Sequence, residues 1–223
     1  MGVEDLSGRT AFFLALSLCL RGADDRVRLD NEFVRVIKAE VQPHVKGTLH
    51  RHEFNRVMIA LDAGTLATYY EDGRKETQRW RAGEATWSPA GGLHTSENVG
   101  TRAFRLVEVE IKKPAPDTPP ARNAALDPVK IDPRHNVLLF ENPQVRVFRS
   151  WREAGASEKM HEHTGSGRLT VLLTAADGEV KLADGSATPL HAAAGDVMWS
   201  GPVTHATTNT GPQRFEMIVI EVK

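Results

Sequence analysis

The chain of 223 residues is long enough for one large domain or two small ones, and its 26% charged and 40% hydrophobic residues are an ordinary globular balance. Lys plus Arg number 28 against 29 Asp plus Glu, so the net charge of -1 leaves no basic excess for a phosphate backbone, and nucleic acid is not an expected partner. The single cysteine, Cys19, excludes an intramolecular disulfide framework and a cysteine-based zinc site.

The longest apolar run, Ala11 to Leu20 (AFFLALSLCL), falls short of the roughly 20 residues that cross a bilayer, so no membrane span is expected. Its length suits the apolar core of a secretory signal peptide, but Glu4 and Asp5 spoil the basic start and no small-x-small cleavage site precedes Asp24. Two readings of this N-terminal segment, residues 1–26, stay open. Residues 1–23 are a signal peptide of an exported or periplasmic protein, or the segment is an apolar helix lying on a cytoplasmic one.

Beyond it the chain repeats itself. Val34-Arg35-Val36 recurs as Val145-Arg146-Val147, and His50 and His52 recur as His161 and His163, all at an offset of 111. Arg56, Asp72-Gly73, Gly83 and Trp87 match Arg168, Asp184-Gly185, Gly195 and Trp199 at 112. His94 and Asn98 return to 111 with His205 and Asn209. Both copies carry short β-branched stretches, VRVIKAEV, RVMIALD and FRLVEVEI in the first, VRVFRSW, LTVLLTA and FEMIVIEV in the second. Turn signals such as Glu71-Asp72-Gly73 and Asp184-Gly185 separate them. Many short strands with regular turns predict an all-β sandwich or barrel, with no helix-period stretch after residue 25. Six of the twelve prolines fall between Lys112 and His135, which predicts an extended connector. The expected division is a first domain over 27–113, a proline-rich linker over 114–134 and a second domain over 135–223.

Six of the nine histidines sit in the repeat. Alternate residues of a strand point the same way, so His50 and His52 share a face, as do His161 and His163. His94, expected in a turn after another strand, can be brought opposite the first pair in a small antiparallel barrel. Three imidazoles on one side of a metal leave positions open, which suits catalysis better than structural clamping.

The stretch from Gly83 through Pro89, Gly91 and His94 to Asn98 resembles the second motif of the cupin superfamily at every fixed position. Gly155, His161 and His163 open as the first cupin motif does, and Gly195 to Asn209 is a shortened second motif. From about residue 27 the chain looks like a bicupin. The resemblance implies an all-β fold of two tandem jelly-roll barrels. It implies His50, His52 and His94 as ligands of one divalent metal and His161, His163 and His205 as ligands of another. Fe, Mn, Ni, Cu and Zn all suit imidazole.

Where the family usually places a fourth ligand, a Glu shortly after the second His, this chain has Arg56 and Arg168. A guanidinium cannot ligate a metal. The expectation is therefore a three-histidine site without a protein anion, in a strongly positive pocket that favours a small anionic or chelating substrate. The competing view pairs each arginine with an acid such as Glu97 or Glu158. Glu53, Glu97 and Glu162 read as solvated strand-edge acids, with proton acceptors or late metal ligands as the alternative; Trp87 and Trp199 read as core wall, with the pocket mouth as the alternative; His44, His135 and His191 carry no role. The resemblance implies a metal-dependent oxidoreductase, dioxygenase-like, with Arg56 and Arg168 anchoring the substrate. The alternatives are a metal-dependent isomerase, lyase or hydrolase, and a non-catalytic metal or ligand-binding module. Two fused barrels form an internal pseudo-dimer, so either a monomer or a homodimer is compatible.

Overall fold

A computed structural model describes residues 26–223, so the readings of residues 1–23 as a leader or helix lie outside the described residues. The first copy of the repeat contains β1 (Val27–Asp30), β2 (Val34–Val41), β3 (His50–His52), β4 (Asn55–Ala60), β5 (Gly64–Tyr70), β6 (Lys75–Trp80), β7 (Ala85–Ser88), β8 (Gly91–Asn98) and β9 (Phe104–Ile111). A one-turn helix, α1 (Pro128–Ile131), precedes the second copy. That copy contains β10 (Asn136–Glu141), β11 (Val145–Arg152), β12 (His161–His163), β13 (Gly167–Leu172), β14 (Ala176–Leu182), β15 (Ala187–Ala192), β16 (Val197–Ser200), β17 (Val203–Asn209) and β18 (Phe215–Val222).

Each copy folds into a five-stranded and a four-stranded antiparallel sheet. The orders are β1-β2-β9-β4-β7 and β3-β8-β5-β6 in the first, β10-β11-β18-β13-β16 and β12-β17-β14-β15 in the second. Strand for strand the two copies have the same topology, which is the repeat in three dimensions. The hydrogen bonding makes two facing sheets per copy rather than one continuously closed cylinder. Among the described residues no helix is long and apolar enough to cross a membrane.

Period-2 patterning decides which face goes where. On β2, β4 and β9 the fully buried residues Val34, Val36, Val57, Ile59, Val107, Val109 and Ile111 point one way. They meet Val145, Val147, Leu169, Val171, Ile218, Ile220 and Val222 of the second copy in one cluster, so the five-stranded sheets pack on each other. Burying each such side chain is worth about 1.5–3 kcal/mol, so a separated copy would expose seven of them. The alternate residues of the same strands, Arg56, Glu108 and Glu110 among them, face into their own copy. There Ala60, Trp80, Phe104 and Leu106 fill one end of the first inter-sheet space, and Phe148, Leu172, Phe215, Met217 and Val219 fill the second.

The connector is less extended than its prolines predict. Asp127 caps α1 by accepting from Val129 N at 3.0 Å, and Pro128 occupies the first turn, where a missing N–H costs nothing. Asp127 and Pro128 are buried, so this segment packs on the second copy. The Leu126 carbonyl accepts from Glu162 N at 2.8 Å, pairing the connector with the outer edge of β12.

Candidate metal centres

β3 pairs with β8 so that His50 lies opposite His94, and β12 pairs with β17 so that His161 lies opposite His205. The third histidine is thus inside a strand and not in the turn expected for His94. A ladder fixes its direction more firmly than a turn would. The motif glycines Gly83 and Gly195 adopt φ of 75° and 84°, left-handed backbone that makes the tight turns leading into β7 and β16.

The six imidazoles gather three and three. In the first trio the ring centroids are 4.8, 4.7 and 5.3 Å apart, and in the second 4.8, 4.5 and 5.3 Å. His50 Nε2 and His52 Nε2 are 3.1 Å apart, and His161 Nε2 and His163 Nε2 are 3.0 Å apart. Three nitrogens at about 2.0–2.1 Å from one ion would be separated by roughly 3–3.4 Å, so the spacing fits a shared cation. Hydrogen bonds to the other ring nitrogen settle the tautomers. The carbonyls of Thr48, Gly92 and Lys159 accept from Nδ1 of His50, His94 and His161 at 2.8, 2.9 and 3.0 Å. A carbonyl only accepts, so each Nε2 carries the inward lone pair. His205 Nε2 is buried without any hydrogen-bond partner. The donor set and this orphaned nitrogen fit a divalent transition metal.

Burial differs between the trios. The first is half-exposed and the second fully buried. Burial lowers the pKa of His161 to about 4 and of His205 to about 2, with Arg168 and Arg152 adding to the effect. His163 is held well below its usual value, again by burial first. The second trio is therefore neutral at pH 7, with lone pairs free for a metal.

The arginines part company. Arg56 donates from Nη1 to Glu108 at 3.0 Å and from Nη2 to Ser88 Oγ at 2.8 Å. Its charge is compensated, though by neither Glu97 nor Glu158. Glu97 accepts from Tyr69 Oη at 2.9 Å, and Glu158 forms a buried ion pair with Arg152. Arg168 donates from Nε to Ser200 Oγ at 3.0 Å and has no acid within ion-pair distance among the described residues. Burial lowers its pKa to about 10, with Glu221 pulling the other way, so it stays protonated at neutral pH. A guanidinium without an ion-pair partner among the described residues thus stands near the second trio, whereas its counterpart in the first copy is paired with Glu108. The residue at Glu108's place in the second copy is Val219, at an offset of 111.

Among the described residues no acid joins either trio as a ligand, but an anion stands behind each. His163 Nδ1 donates to Glu221 at 2.7 Å, and Glu221 lies 3.4 Å from Arg146. In the first copy Glu110 stands at the equivalent position, 4.0 Å from His52 Nδ1 and 3.9 Å from Arg35. These acids stand behind the imidazoles rather than at the ligand face. Sequence reasoning passed over them, yet the 111 offset that pairs the histidines also pairs Glu110 with Glu221 and Arg35 with Arg146.

Other residues of the repeat are structural. Trp87 and Trp199 pack against the core between the copies, and Phe33 stacks on Trp199 at 5.5 Å. Asn98 Nδ2 bridges the carbonyls of Val41 and Arg102, and Asn209 Nδ2 those of Arg152 and Gln213. Glu53 is exposed, and Glu162 is half-buried with its backbone tied to the connector. His135 and His191 pair locally with Asp132 and Asp177.

No protein-family model and no curated protein matches the chain. Solved structures do. AerE from Microcystis aeruginosa aligns over 85% of this chain and 88% of its own, at 16% identity and a TM-score of 0.61. A cupin 2 conserved barrel domain protein from Leptotrichia buccalis aligns over 87% and 86%, at 14% identity and a TM-score of 0.50. A salicylate 1,2-dioxygenase mutant from Pseudoaminobacter salicylatoxidans aligns over 85% and 70%, at 12% identity and a TM-score of 0.57. At such identities the likeness establishes the shared fold.

Proposed function

We propose that this chain, a bicupin in fold, is a metal-dependent enzyme acting on a small anionic, chelating organic molecule at its second histidine trio, in the manner of a dioxygenase. The observation that carries the reading is Arg168, a guanidinium bonded to Ser200 and in no ion pair among the described residues, near three buried, neutral imidazoles. A divalent metal held there supplies a Lewis acid and, where redox-active, a place for O₂. The chain's own residues do the rest. Arg168, fixed by Ser200, binds and orients the substrate's carboxylate, and charge attraction in a water-poor pocket strengthens that contact. Burial of His161, His163 and His205 keeps bulk water from the reacting group. The fold itself hosts many chemistries, so the reaction class rests on the site.

A second reading has its own observation. Glu108, paired with Arg56 on the inward face of β9, is a candidate proton acceptor. With a redox-inert metal this makes an isomerase or lyase of the first site.

The test is metal analysis of protein purified without added metal. Fe(II)-loaded protein then goes onto an oxygen electrode with a panel of hydroxybenzoates, β-diketones and small dicarboxylates. Oxygen uptake that survives His94→Ala and vanishes in His205→Ala supports the first reading. Product formed without oxygen uptake, and lost in His94→Ala, supports the second. Metal bound without turnover of any panel member leaves a binding module and overturns both.

A further inference from the structure

The connector does more than join the copies. Its Leu126 carbonyl bonds the amide of Glu162, the residue between His161 and His163. One residue later, buried Asp127 accepts from Arg146 Nη2 at 2.9 and 3.2 Å. Arg146 reaches Glu221 at 3.4 Å, and Glu221 accepts from His163 Nδ1 at 2.7 Å. Arg122, also on the connector, lies 3.7 Å from Glu221 and donates to Glu141 at 2.8 Å. An unbroken polar chain, His163–Glu221–Arg146–Asp127, therefore runs from an inward-facing imidazole to the cap of α1. The first copy's version, His52–Glu110–Arg35, is looser, at 4.0 and 3.9 Å.

We infer that cation occupancy of the second trio and docking of the connector over β12 are thermodynamically linked, so that the connector is a metal-dependent wall of that site. This rests on the reading that these imidazoles hold a divalent cation. A cation on His163 Nε2 polarises the ring and strengthens its Nδ1–H bond to Glu221. A firmly held Glu221 holds Arg146, which anchors Asp127 and with it the start of α1. His161 Nε2 and His163 Nε2 approach to 3.0 Å on β12, the strand whose edge Leu126 pairs with, so a cation shared by those two nitrogens would steady that edge. Linkage is reciprocal, so a docked connector raises cation affinity by the factor that the cation gives to docking.

The experiment uses the full chain carrying His94→Ala, which leaves the second trio intact, and Co²⁺ alone as probe. Hydrogen exchange of residues 122–131 and of the Glu162 amide is followed with and without Co²⁺. Protection there is expected to rise at least tenfold, while β6 of the first copy is unchanged. Asp127→Asn keeps a capping oxygen but loses the charge facing Arg146. It is expected to weaken Co²⁺ binding about tenfold, the lower end of the range for groups behind a metal ligand. Co²⁺ bound with connector exchange unmoved, or Asp127→Asn binding Co²⁺ as the parent does, overturns the inference alone. No Co²⁺ binding at the second trio overturns it together with the functional reading beneath it.

Discussion

The two copies allow one charge to be exchanged between sites that share their three histidines and an arginine. Glu108 compensates Arg56 at 3.0 Å, and the equivalent Val219 leaves Arg168 without that ion pair. Val219→Glu should reproduce the first copy's ion pair in the second. One carboxylate of a bound anion about 5 Å from a guanidinium outside any ion pair, at an effective dielectric near 20, gains roughly 3 kcal/mol. At 1.4 kcal/mol per tenfold, cancelling that charge should weaken anion binding by about 100-fold. Glu108→Val should do the reverse in the first site. The assay titrates oxalate into Co²⁺-loaded protein and follows the Co²⁺ absorption bands. His94→Ala isolates the second site and His205→Ala the first. Urea unfolding of each variant checks that the fold survives. If Val219→Glu keeps its Co²⁺ and binds oxalate as tightly as its parent, Arg168 does not face the anion and the substrate argument fails.

Further outcomes follow from other contacts. Glu221→Gln removes a charge-assisted bond of 2.7 Å and should cost the second site about 10–100-fold in Co²⁺ affinity, whereas Glu110→Gln, at 4.0 Å, should cost the first less than about fivefold; equal losses would contradict the geometry. Leu169→Ala in the core between the copies should cost about 2–5 kcal/mol and lower one common urea midpoint for both copies, read from tryptophan fluorescence; two separated transitions would refute a shared core. Metal at the half-exposed trio should be stripped by EDTA before metal at the buried one, resolved by stopped-flow in the two single-site variants. The Arg105 guanidinium holds the Asp62 carboxyl below its usual pKa through bonds of 2.7 Å. That stabilisation is complete above the usual carboxylate range and is lost as pH falls through the lowered value. Asp62→Asn should therefore cost a few tenths to about 1 kcal/mol at pH 7, and that cost should shrink as pH falls below the usual carboxylate range in thermal unfolding.

The sequence carried the fold because strand patterning and turn glycines are local, and because the repeat wrote them twice. It carried the histidines because alternation along β3 and β12 fixes their common direction. It misjudged His94, since a Gly-Gly-Leu approach reads as a turn whereas pairing with β3 extends the strand. The partners of Arg56 and Arg168 were beyond it. Glu108 lies 52 residues from Arg56 along the chain, and only the β4–β9 ladder brings them together. The same ladder logic hid Glu110 and Glu221, which sit in strands that read as hydrophobic. An acid alternating with valine and isoleucine on a central strand faces inward. Read that way, the last strand of each copy already pointed at the site.

Duplication explains why one chain can hold both a compensated and an uncompensated arginine. The core between the copies is built from the outward faces of the five-stranded sheets, and their alternate residues never enter it. Substitutions on the inner faces, such as Glu108 against Val219 or Tyr70 against Leu182, therefore leave the packing of copy on copy untouched. Tyr70 stands opposite His94 in its ladder and Leu182 opposite His205, so even the nearest neighbours of the trios differ while the imidazoles match. The hydrophobic face fixes the scaffold, the ladders fix six rings, and the remaining inward positions are free to set charge. In the second copy those positions, together with the connector, surround a buried trio with Arg168 and with the acid–arginine chain through Glu221, Arg146 and Asp127. In the first they leave a half-exposed trio and the Arg56–Glu108 pair. The two sites should thus be chemically unequal, even though the same three side chains define them.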